Sequence, residues 1–194
     1  MTTLSSIITP TNVATATSTT TFTNKTIAYA SNTLTGVAGT AANNTFTGTQ
    51  TLTGSSSVLA AILTNAAEVC TVSATAATGT INYDVTTQSV LYYTTNASGT
   101  FVVNLRASSG TTMNTALGTG QSVTAAFLVT QGASGASYYN TSVQVDGTTS
   151  GVTTKWQGGA PTTGNASGID VYTYTVIKTG SATYTVLASL IQFK

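Results

Sequence analysis

Nine short runs in which apolar and polar residues alternate occupy most of the chain between residues 69 and 190. Alternation with a period of two is typical of strands with one buried face, and no helical period interrupts it. Strands spaced roughly eight to twelve residues apart favour a β-sandwich or jelly roll. The runs are Val69–Ala74, Gly79–Val85, Ser89–Thr94, Thr100–Arg106, Gln121–Thr130, Thr141–Val145, Val152–Gln157, Ile169–Lys178 and Ala182–Leu190.

Threonine supports the same interpretation, since it makes up about a quarter of the residues and its β-branched side chain suits pleated surfaces. Disorder is disfavoured, because 41% of the residues are hydrophobic and the net charge is only +1. The alternation within 171–176 places Tyr172 and Tyr174 on one face of a strand. Asp146-Gly147 predicts a tight two-residue turn.

Residues 57–67 are the candidate helix, with Ser57 as its cap and Asn65 at its end, although eleven residues also suit a strand. We take them as a junction. The fold class predicted is all-β, with a short fibrous β-repeat stalk (residues 1–56) and an antiparallel β-sandwich or jelly-roll head (residues 68–194).

Residues 21–56 divide into three blocks of twelve that each carry a large apolar residue in second place and close on a turn-prone pair. Chance repetition in a threonine-rich sequence is the alternative. One such strip buries too little apolar surface to offset an ordering cost of about 1–2 kcal/mol per residue. We therefore expect three copies to surround a shared axis. The candidate oligomer core is Phe22, Leu34, Phe46 and Val58.

The chemistry available to the chain is narrow, because it has no histidine, one cysteine and nine charged residues. The acids are Glu68, Asp84, Asp146 and Asp170, and no two lie within ten positions of each other. General acid–base catalysis needs paired titratable groups, so we predict no enzyme, no catalytic residue, no cofactor and no metal site. Cys70 lacks a histidine partner, and we expect it to be a small buried residue of a strand.

Charge and hydropathy exclude two further classes of partner. The five basic residues are scattered, so no phosphate-binding patch for nucleic acid is expected. No apolar run approaches the roughly 18 residues of a membrane span. The beginning of the chain has no basic region followed by an apolar core, so no secretory signal is expected.

Three aromatic residues are candidates for surface binding, namely Tyr138, Tyr139 and Trp156, because such rings recognise glycans and proteins. The alternative, which we favour, is that one ring of the adjacent pair Tyr138 and Tyr139 lies in the core and the other on the surface. For Trp156, which alternates with Val152 and Thr154, we favour packing onto the core in the same way. The loop from Gly158 to Gly168 is either a binding loop or simply the longest connection.

Two parts of the chain resemble bacteriophage proteins. Residues 19–27 and 44–50 resemble linker repeats in the tail fibres of tailed phages. Residues 152–159, 164–172 and 184–189 resemble a domain of virion structural proteins of marine phages, including those that infect cyanobacteria. The resemblance implies a component of the virion exterior, a homotrimer and other virion proteins as partners, with no catalytic residues. A repeat this short departs from the long shafts of fibres.

Three functions fit these features. The first is a short fibre or spike-like virion protein, the second a decoration protein that clamps the capsid, and the third a head that binds a receptor or a host surface glycan. The repeat beside a separate β domain favours the first.

Overall fold

The computed structural model describes residues 43–134 and 137–194. The chain divides between Ile62 and Leu63 into two units. Phe22, Leu34 and most of the twelve-residue repeat lie outside the described residues. The stalk and the boundaries at residues 56 and 67 therefore stay predictions.

The candidate helix at residues 57–67 is wrong. The segment is irregular, its one bridge pairs Ser55 with Val58, and Asn65 has a positive φ of 56°. Helices this short need a packed apolar face to be stable. Leu59 and Ile62 are 78% and 84% exposed, so no such face is covered in the single chain.

All nine predicted runs form strands, with bounds shifted by one to three residues. One short helix, α1 (Met113–Ala116), was not predicted. The strands are β1 (Cys70–Ala76), β2 (Gly79–Asp84), β3 (Val90–Thr95), β4 (Phe101–Arg106), β5 (Ser122–Thr130), β6 (Asn140–Val145), β7 (Val152–Trp156), β8 (Ile169–Gly180) and β9 (Thr183–Phe193).

Strands β1 to β7 alternate between two sheets, and β8 and β9 stay in the larger one. The larger sheet has the order β1-β3-β5-β8-β9-β7, and the smaller has the order β2-β4-β6. Within each sheet, strands β1 to β6 lie beside the strand two places along the chain and run parallel to it. Strand β8 lies between β5 and β9 and is antiparallel to both. Strand β7 forms the other edge of the larger sheet and is parallel to β9.

The all-β class is confirmed, but the antiparallel topology is wrong, because five of the seven strand pairings in the described residues are parallel. The parallel pairing follows from the way the loops connect the strands. A short loop carries the chain from one sheet to the other, so the next strand in the same sheet enters in the same direction. Alternating burial looks alike in parallel and antiparallel strands.

Aromatic rings pack the two sheets together. The Phe101 ring of β4 lies edge-on to Phe127 of β5 at 5.7 Å and to Tyr172 of β8 at 5.5 Å. Tyr93 of β3 contacts Phe127 from the other side at 5.1 Å. Edge-to-face pairs add about 0.5–1.5 kcal/mol beyond the burial of their area. The core is therefore centred between β4 and the middle of the larger sheet.

A tight turn after β6 places Asp146 beside the small helix α1. Asp146 and Gly147 both have positive φ, 52° and 80°, as the sequence predicts for a two-residue turn. The turn directs the Asp146 carboxylate to the start of α1, where it accepts hydrogen bonds from the backbone N–H of Met113 at 2.7 Å and of Asn114 at 3.2 Å. A single residue thus joins the smaller sheet to the helix.

Replacement of Phe127 by alanine is expected to lower the free energy of unfolding by about 3–5 kcal/mol, because it opens a cavity where both sheets meet. Urea denaturation followed through Trp156 fluorescence measures the change. The control is Val69→Ala, since the Val69 side chain is 63% exposed. A loss below about 1 kcal/mol for Phe127→Ala would contradict this description of the core.

Candidate functional site

An uncharged surface runs across the outer face of the larger sheet. Strand register aligns one residue from each of five strands, with Val72 beside Tyr92, Tyr92 beside Leu128, Leu128 beside Val171 and Val171 beside Ile191. Residues in register share a face of the sheet. On the central strands β5 and β8 the residues next to the row are buried, namely Phe127, Val129, Asp170 and Tyr172, so the row faces away from the core.

Hydroxyl groups border the apolar row. Thr124 on β5 and Thr175 on β8 share a hydrogen bond of 3.1 Å between their hydroxyls, and Thr173 pairs with Ser189 at 2.5 Å. Cross-strand pairs of this kind contribute a few tenths of a kcal/mol and hold the register. The threonines thus stiffen the face without adding charge to it.

The outer face presents one charged side chain among the described residues of its strands, that of Lys155 on the terminal strand β7. Ile191 and Val72 are 51% and 64% exposed, and Phe193, beside Ile169 at the end of the sheet, is 54% exposed. Single exposed apolar residues need no explanation, but a continuous band across five strands is typical of an interaction surface.

The sheet ends on an open strand. Within the described residues β1 pairs with β3 alone, so its other edge presents unpaired backbone groups, and most of its side chains are exposed. Unpaired edges can accept a strand from another chain. The expectation that Cys70 is buried is wrong, because the thiol lies on this edge strand, where nothing in the described chain covers it.

The candidate oligomer core is only partly described. Phe46 and Val58 are 58% and 65% exposed in the single chain. Phe22 and Leu34 lie outside the described residues, so the shared layer expected from the repeat stays a prediction.

The three candidate surface aromatics lie at two places. Tyr138 and Tyr139 precede β6 and are half-buried, and Tyr138 packs against the core. Trp156, at the end of β7, packs edge-on against Tyr172 and Tyr174 at 6.4 and 6.1 Å. An open cleft of about 390 Å³ borders Trp156. Core packing therefore accounts for Trp156 and Tyr138.

The charged residues inside the head serve structure. Asp84 forms an ion pair with Arg106 at 2.5 Å, and the paired Asp84 carboxylate raises the pKa of the arginine. Lys178 donates to the carbonyls of Asn114 and Leu117 at 2.6 and 2.8 Å. In residues 43–134 and 137–194, no three side chains of histidine, cysteine, aspartate or glutamate lie together.

One buried acid was not singled out from the sequence. Asp170 is fully buried on β8 and accepts hydrogen bonds from Gln131 Nε2 at 2.9 Å and from the backbone N–H of Asn165 at 3.2 Å. Burial raises the pKa of its carboxyl, while these hydrogen bonds lower it. Its position after the long 158–168 loop is the only sequence signal that could have drawn attention to it.

Trp156→Ala is expected to lower the free energy of unfolding by about 2–3 kcal/mol, because the indole covers two core tyrosines. Lys155→Ala is the control, since this neighbour points outward and its loss changes stability by at most about 0.5 kcal/mol. Urea denaturation followed by circular dichroism measures both. Equally small effects would show that Trp156 does not belong to the core and would favour a binding role.

Comparison with known proteins finds no family model that matches the chain, no curated protein with significant similarity and no solved structure with significant similarity. Among the described residues, no helix has the length and apolar character needed to cross a membrane. The function proposed below is therefore supported by the residues, the sheet surfaces and the phage resemblance alone.

Proposed function

We propose that this chain is a non-catalytic structural protein of a tailed-phage virion, which assembles with copies of itself into a homotrimeric short fibre or spike on the particle exterior. The observation that carries the self-assembly is the apolar row across the outer face of the larger sheet. The resemblance of the repeat and of the C-terminal segments to phage structural proteins supports the place in the virion.

A second copy of this chain is the occupant that best fits the face. The apolar row carries no charge, so a copy facing it meets neither an unpaired buried charge nor like-charge repulsion. The whole chain has nine charged residues and a net charge of +1, so most of a second copy's surface is equally compatible. A strongly charged partner would leave its own charges desolvated against this face.

The repeat and the head make separate contributions in this proposal. Residues 1–56 form the stalk. Phe22, Leu34 and Phe46 of three copies make its shared core, which Val58 continues into the junction. The outer face of the head buries the apolar row against a neighbouring copy. Exposed Phe46 and Val58 and an exposed apolar row are what a chain separated from its partners presents.

Ile191→Lys is expected to weaken association at least about tenfold, because a lysine in the apolar row must be desolvated without a partner on assembly. Native mass spectrometry across a dilution series should show the wild type at three times the chain mass of 19.5 kDa, and the variant should dissociate into single chains at a concentration about tenfold higher. Thr153→Lys, at the rim of the same face, is the control. A monomeric wild type would refute self-assembly. A variant that dissociates at the same concentration as the wild type would show that the interface does not include this face.

Cys70 provides an independent probe, since it lies on the outer face of β1 beside Val90. In the assembled wild type, maleimide should label the thiol about tenfold more slowly than in Ile191→Lys, because a neighbouring copy restricts access to it. Equal labelling rates in assembled and dissociated protein would show that this margin of the face is uncovered.

Electron cryomicroscopy of the source particle, with this chain located in the map, distinguishes the fibre from a capsid decoration protein. Density projecting from the tail or a vertex supports the proposed fibre or spike. Density lying flat between capsid subunits would assign the chain to capsid decoration instead.

A further inference from the structure

Three buried oxygen atoms at one end of the head have no hydrogen-bond partner among the described residues: Gln131 Oε1, Asn165 Oδ1 and Asp170 Oδ1. Their side chains belong to residues that are 2%, 3% and 0% exposed. Buried polar atoms in folded proteins are nearly always paired, so unpaired acceptors that share one location call for a missing partner.

The three side chains are held together through Asp170. Its Oδ2 accepts from Gln131 Nε2 at 2.9 Å and from Asn165 N at 3.2 Å. The two heavy atoms of an amide are about 2.2 Å apart from their bond lengths, so Gln131 Oε1 lies within about 5 Å of that carboxylate oxygen. The three side chains that carry the unpaired oxygens are therefore linked in one buried network, which we call the oxygen cluster.

The amide orientations are fixed by their donors. Gln131 Nε2 also donates to the Tyr138 carbonyl at 2.9 Å, and Asn165 Nδ2 donates to the Phe193 carbonyl at 2.6 Å. Flipping either amide would turn its oxygen toward another acceptor. Both amide oxygens therefore have no hydrogen-bond donor, and an amide oxygen can only accept.

The partner that the cluster lacks must be positive or donate several hydrogen bonds. Asp170 belongs to no salt bridge among the described residues, where the ion pair is Asp84 with Arg106. Burial raises the pKa of the Asp170 carboxyl, and hydrogen bonds from Gln131, Asn165 and its register partner Gln192 partly offset that rise. One water has two hydrogens and a proton satisfies one oxygen, whereas a single cation can satisfy all three.

We propose that Gln131, Asn165 and Asp170 bind a calcium-sized metal cation through their side-chain oxygens. Carboxylate and amide oxygens are the ligands that Ca²⁺ prefers, and Ca²⁺ accepts irregular geometry, whereas Mg²⁺ demands a near-ideal octahedron. Backbone carbonyls and water supply the remaining ligands. With one carboxylate, the dissociation constant falls in the weak class, on the order of 10⁻⁴ to 10⁻³ M.

An opening in the surface lies beside the long loop and beside Gln192, the register partner of Asp170. An open cleft of about 490 Å³ is lined by residues of the β7–β8 connection, including Pro161 and Thr163, and by Gln192. Asn165 belongs to the same connection. A bound cation would therefore fasten the 158–168 loop to the ends of β5 and β8, which makes the loop part of a site instead of a plain connection.

The test uses the full-length protein in buffer treated with chelator and then given about 10 mM Ca²⁺. The melting temperature is expected to rise by about 5–10 °C if the dissociation constant is near 10⁻⁴ M, with a smaller rise for Mg²⁺ at equal concentration. Terbium luminescence, excited through the aromatic rings and displaced by Ca²⁺, reports binding without any variant. Asp170→Asn should abolish both responses, and Asp84→Asn, which removes a partly exposed acid, should leave both intact.

Two results would overturn the site. One is a wild-type protein whose melting temperature does not change on addition of Ca²⁺ and which gives no terbium luminescence. The other is an equal response in wild type and Asp170→Asn, which would place the cation elsewhere. A melting temperature that ignores metals but rises as the pH falls would assign a proton to Asp170 in place of the cation. None of these outcomes depends on the oligomeric state, so the site and the self-assembly fail separately.

Discussion

Contact between aromatic rings of opposite sheets is the interaction on which the head depends. Phe101 is the ring of the smaller sheet that meets both Phe127 and Tyr172 of the larger one. Behind it, Asn140 donates to the hydroxyls of Tyr172 and Tyr174 at 3.3 and 2.6 Å, so these large rings are buried with their polar ends paired. With the inner face occupied in this way, the remaining apolar residues of each strand have only the outer face available.

The strands were predictable because alternation and turn residues are local signals. The run around Tyr172 and Tyr174 is the clearest case, since both rings lie on one face and stack at 6.4 Å as the pattern indicates. Parallel pairing was not predictable, because β1, β3 and β5 have the same alternation that antiparallel strands would have. The position of Cys70 was missed for a related reason, because a strand pattern does not say whether its strand is at an edge.

The apolar row depends on the register between strands, which cannot be read from the sequence. Val72 and Ile191 are more than a hundred positions apart, and only four successive pairings place them in one row. The oxygen cluster is missed for a chemical reason as well. Metal-site patterns weigh histidine, cysteine and acids, while two of its three oxygens belong to amides, which are common throughout this chain.

Most of the few charged residues of the head form contacts within it, so the surface has little charge. Arg106, Lys178, Asp84 and Asp146 are each used for a pair or a helix end within the head, and Asp170 is buried among neutral donors. Few charges are left for the surface, where they would keep copies apart. A protein built in this way associates through shape and apolar contact with little electrostatic steering, so its assembly should respond weakly to salt.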